Sequence, residues 1–90
     1  LFWEQTRQAL YNTVEVLSAA EAKPEHIVRM TWFITSRKEY LEQQKEIGKA
    51  YREIIGKHYP AMSVLVVSEL IEEAAKVEIE TTAVIQEVTR

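Results

Sequence analysis

Two glutamates, Glu78 and Glu80, stand two residues apart in the stretch KVEIETTAVI. In an extended chain that spacing sends both carboxylates to one face, opposite Val77 and Ile79. Thr82 and Val84 continue the face. Such carboxylates can hold water or move protons where the face is covered, but the same pattern also describes a strand with its polar side in solvent. His26 and His58 have no second metal-type ligand at workable spacing, and His58, just past a helix end, is accounted for by the helix dipole. Gly48 and Gly56 are the only glycines, which leaves neither a Gly-rich phosphate loop nor a G-x-S-x-G nucleophile elbow. Without cysteine there is no disulfide, zinc–thiolate site or thiol catalysis. The stretch YPAMSVLVV, residues 59–67, sets Met62 and Ser63 between a proline and an aliphatic run. It reads either as the start of a buried strand or as the rim of a binding site.

The elements that must position these residues follow from periodicity. From Trp3 to about Ala20, Thr6, Ala9, Leu10, Thr13, Val16, Leu17 and Ala20 recur at three- and four-residue spacing among polar neighbours, predicting an amphipathic helix that EAKPE ends. HIVRMTWFIT, residues 26–35, is a strand by its β-branched and aromatic content. Its period-two split puts Val28, Met30, Trp32 and Ile34 on one face and the mixed set Ile27, Arg29, Thr31 and Phe33 on the other. Both faces are therefore expected to be covered. SRKE, from Ser36 to Glu39, has capping-box spacing and opens a second helix with Tyr40, Leu41, Gln44, Ile47, Tyr51, Ile54 and Ile55 inward, stopped by Gly56. Residues 61–68 read as a central strand and 76–85 as an alternating one. The order helix, strand, helix, strand, strand places both helices on one face of a small sheet, and the bare face calls for a partner.

Ninety residues form one domain, which buries only about 60–65% of the surface its unfolded chain exposes. The net charge of −3 gives no attraction to phosphate backbones or anionic membranes. Tryptophans and tyrosines without interleaved basic residues read as core and interface rather than as a base-stacking platform. No apolar run reaches the ~18 residues of a membrane helix, and LFWEQTRQAL lacks the pattern of a signal peptide. A cytoplasmic protein is expected, with neither nucleic acid nor membrane as partner.

Four segments in order and spacing, QTRQALYNTVEVLSAA, HIVRMTWFIT, AYREIIGKHYPAMSVLVV and AKVEIETTAV, resemble the RidA/YjgF family of enamine/imine deaminases, also labelled L-PSP endoribonucleases. The resemblance spans nearly the whole chain. It implies an α+β, chorismate-mutase-like fold assembled as a homotrimer, and an N-terminal hairpin ahead of the first helix. On that reading residues 1–90 are a single domain incomplete at its N-terminus. Ligand sites in the family lie between subunits, where the arginine of a P-A-R-S segment grips the substrate carboxylate and a glutamate of the following E-I-E strand positions water, with no cofactor. The arginine falls on Met62, flanked by Ser63, the glutamate on Glu78, and a frequent asparagine on Gly48.

Methionine offers a soft apolar chain where a guanidinium would supply a bidentate fork, a loss of roughly 2–5 kcal/mol of binding. The expected protein is thus a divergent relative that binds a small metabolite in the inter-subunit cleft through Met62, Ser63 and Gly48, without standard 2-imino-acid deamination. The alternative is an active imine/enamine deaminase of altered substrate range, a hydrolase in which Glu78 handles water. Ribonuclease action suits the chain least, since it lacks a basic groove and a paired general acid and base.

Overall fold

The computed structural model describes residues 1–86. Helix α1 (Phe2–Ala19) leads through a 3₁₀ turn at Pro24–His26 into β1 (Ile27–Ile34). Helices α2 (Arg37–Glu42) and α3 (Gln44–Ile54) follow, then β2 (Ala61–Val66) and β3 (Val77–Ala83). The sheet order is β2-β1-β3, with β1 parallel to β2 and antiparallel to β3. The α+β fold that the resemblance implies is the observed one.

The core forms where α1 and α3 meet one face of the sheet. Phe2 and Leu10 from α1, Ile47 and Tyr51 from α3, and Met30, Trp32 and Ile34 from β1 are all buried in it. Thr6, fully buried between Phe2 and Leu10, donates its hydroxyl to the Phe2 carbonyl at 3.0 Å, so its burial strands no polar atom.

Register sorts the remaining side chains. Met62, Met30 and Thr81 are paired across the sheet, as are Val64, Trp32 and Ile79, and these rows face the helices. The alternate rows, Ser63–Thr31–Glu80 and Leu65–Phe33–Glu78, face the other way. No element among the described residues covers that second face.

Five expectations are corrected. Val28 does not share a face with Met30: β1 carries one extra residue between Ile27 and Arg29 relative to β3. This bulge turns Ile27 into the core and leaves Val28 half exposed. The strand beginning at Ala61 is an edge, not the centre, and its aliphatic run leaves Leu65 and Val66 exposed. The inward helical stripes shift as well, with Val16 and Leu41 in solvent.

The second helix, finally, is interrupted at Gln43 (φ −110°, ψ 18°), whose side-chain carbonyl accepts the Trp3 backbone N–H at 2.9 Å. That residue caps the start of α1, where intrahelical acceptors are lacking. Ser36 caps α2 as expected, accepting the Glu39 N–H at 3.1 Å. The Glu39 carboxylate, however, pairs with Lys76 Nζ at 2.7 Å instead of closing the capping box.

Candidate functional site

A cavity of about 200 Å³ opens between the helix-facing side of β1–β2 and the α2–α3 rod. Trp32 and Met62 come to it from the sheet because Met62 pairs with Met30 and Val64 with Trp32, which puts both on the helix side. From the rod, Gln44, Ile47, Gly48, Tyr51 and Arg52 occupy successive turns of one helical face, and Tyr40 sits a turn earlier. Tyr59 closes the rim from the segment before β2.

That segment is tied down on two sides. The Tyr51 hydroxyl donates to the His58 carbonyl at 2.6 Å, and His58 Nε2–H donates to the Ile27 carbonyl at 2.7 Å. Stacking of the Tyr51 and Tyr59 rings, 5.7 Å apart and 16° from parallel, fixes an aromatic wall. Burial, and secondarily the neighbouring Tyr59, pushes the Tyr51 phenol above the ordinary tyrosine range. Tyr51 therefore serves as a neutral donor at physiological pH.

Arg52 provides the one formal charge in the lining among the described residues. A helical side chain leans toward the N-terminal turn, so Arg52 lies over the residue four positions earlier. That residue is Gly48, and a Cβ built there would sit 3.3 Å from Arg52 Nη1.

Met62 and Gly48, singled out in the sequence, thus meet in one cavity. Ser63 and Glu78 do not join them. Both project to the uncovered face, Ser63 in the row of Thr31 and Glu80, Glu78 beside Phe33. Glu78 is also on the opposite edge strand from Met62, two strand spacings or about 10 Å across the sheet. His26 accepts the Lys23 backbone N–H through Nδ1 at 2.8 Å, and His58 braces the rim as described. Sequence reasoning missed the Tyr51–Tyr59 wall.

The sequence model of the family described as Endoribonuclease L-PSP matches residues 1–85. This chain belongs to that family, also called RidA/YjgF. Solved structures of the family share its fold. Escherichia coli TdcF, solved with bound serine, is 31% identical with a TM-score of 0.76, over 93% of this chain and 65% of its own. The Rid-family protein YyfA from Yersinia pestis is 33% identical with a TM-score of 0.73, over 89% and 60%. The Escherichia coli YjgF gene product is 30% identical with a TM-score of 0.73, over 90% and 62%. The chain spans under two thirds of the length of these family members. No individually curated protein matches it.

Proposed function

We propose that this chain is a RidA/YjgF-family protein that binds a small metabolite in the Met62 cavity, completed between copies of a cytoplasmic homotrimer, and that it lacks standard 2-imino-acid deamination. One observation carries the reading. Met62 lines an aromatic cavity at the position where the family resemblance puts the carboxylate-gripping arginine. Its thioether offers no donor to a carboxylate, and losing a charged bidentate contact costs roughly 2–5 kcal/mol. The bound serine of TdcF sets the scale of a ligand suited to a cavity of about 200 Å³. Ser63 and Glu78, on the uncovered face, reach a ligand only if a neighbouring copy brings its own cleft against them.

A second reading is favoured by Glu78 itself. It stands exposed beside Phe33 on the face open to a neighbour, where it can hold water for hydrolysis of an imine. Release of 2-keto acid from freshly generated 2-aminoacrylate separates the two readings. We expect the native chain to stay at background and Met62→Arg to gain turnover. Turnover by the native chain that Glu78→Gln removes would establish the hydrolase instead.

A further inference from the structure

We infer that the indole N–H of Trp32 is the polar anchor of the Met62 cavity, and that the cavity takes a neutral carbonyl compound with a flat, apolar, ring-sized body. The inference rests on the reading of this cavity as the ligand site and adds the ligand's charge and its hydrogen-bonding group. Trp32 stands on the central strand β1 between Val64 and Ile79, on the face toward the helices, and is 1% exposed. It lines the same cavity as Met62.

Indole Nε1 only donates, and a buried tryptophan ordinarily finds an acceptor for it. Trp32 does not: its Nε1 is buried and has no hydrogen-bond partner. The other such side-chain atom among the described residues, Thr81 Oγ1, belongs to a separate cavity beside α1. An orphaned buried donor costs free energy that an arriving acceptor recovers. A carbonyl suits it, because it accepts without bringing a donor that the lining would have to satisfy. The nitrogen is closed to solvent, so a ligand reaches it by displacing a side chain. Met62, unbranched and 42% exposed, is the wall residue with the freedom to yield.

The rest of the lining favours a neutral ligand. Tyr40, Tyr51 and Tyr59 supply aromatic surface, and the Tyr51 hydroxyl is already given to the His58 carbonyl. A carboxylate brought against that surface loses hydration that one neutral N–H does not replace. Arg52, the one charge in the lining among the described residues, is exposed, and water screens it. A volume of about 200 Å³ admits a single ring, below the range of drug-sized pockets.

The test titrates three compounds into the native chain and Trp32→Phe, followed by NMR: acetophenone, α-methylstyrene, in which a methylene replaces the carbonyl oxygen, and benzoate. The chain has two tryptophans, and Trp3, which lines a different cavity, is the control for the Trp32 indole signal. Acetophenone should move the Trp32 N–H proton further downfield than α-methylstyrene does, and benzoate should bind about tenfold more weakly than acetophenone. In Trp32→Phe, with folding checked by circular dichroism, the preference for acetophenone over α-methylstyrene should fall about 3- to 10-fold. If that variant does not fold, the N–H shift in the native chain decides. An N–H shift equal for the two compounds, or a preference unchanged in Trp32→Phe, overturns the inference while leaving the cavity a ligand site. Benzoate binding tighter than acetophenone overturns the inference and the reading of the cavity as lacking a grip on carboxylates. Binding of none of the three to the native chain overturns the inference and the cavity as a ligand site together.

Discussion

Tyr51 does two jobs with one hydroxyl: it fastens the His58 carbonyl, and through it the rim of the cavity, while its ring backs Tyr59. Burial, with Tyr59 adding to it, keeps that phenol protonated in the folded chain beyond the pH at which an unfolded tyrosine ionises. A raised pKa of this kind contributes stability that is fully present below about pH 10 and lost as pH rises through the folded value. Tyr51→Phe should therefore cost about 1 kcal/mol at neutral pH for the missing hydrogen bond, and should lose stability less steeply than the native chain above pH 10. Urea titrations at pH 7 and at stepped pH values above 10 check both halves. At this scale the sequence was legible where residue type alone speaks. Met62 and Gly48 stood out as a methionine and a glycine in positions where the resemblance implies polar side chains, and the cavity holds both. For Arg52, helical spacing gives the neighbours but not the rotamer that lays it across Gly48.

Between elements, a few side-chain amides hold the fold in register. Gln5 of α1 reaches the loop before β3 twice: its Nε2 donates to the Ala74 carbonyl at 3.0 Å and its Oε1 accepts the Lys76 N–H at 2.7 Å. Beside it, Lys76 Nζ meets Glu39 of α2 at 2.7 Å, so three elements converge where β3 begins. Gln5→Ala should lower stability by about 1–2 kcal/mol, because the half-buried Lys76 amide loses its acceptor. Hydrogen exchange at that amide should accelerate by at least about tenfold, with amides in the middle of β1 less affected, as expected for local opening. An unchanged Lys76 exchange rate would show that the loop is held by other contacts. Element types and their order were readable because each segment has a clear hydrophobic period. The bulge at Val28 and the interruption at Gln43 were not. Both answer to partners distant in sequence, β3 in the first case and the backbone of Trp3 in the second.

For the molecule as a whole, the sheet is finished on one face only. Phe33 and Leu65 lie side by side on the other, and β2, written as an aliphatic run fit for a sheet centre, stands at the edge with Leu65 49% and Val66 57% exposed. A run of that composition on an open edge invites association, and burying such surface in a symmetric assembly is the economical way to cover it. A homotrimer should sediment at three times the 10.5 kDa chain mass. Leu65→Lys is the discriminating variant. The residue is half exposed within one chain, so the fold should lose less than about 1 kcal/mol, while a lysine buried at a subunit interface without a partner should dissociate the assembly. Assembly that persists in Leu65→Lys would place the interface elsewhere, and a monomeric native chain would leave the Met62 cavity to be judged as the site of a single chain.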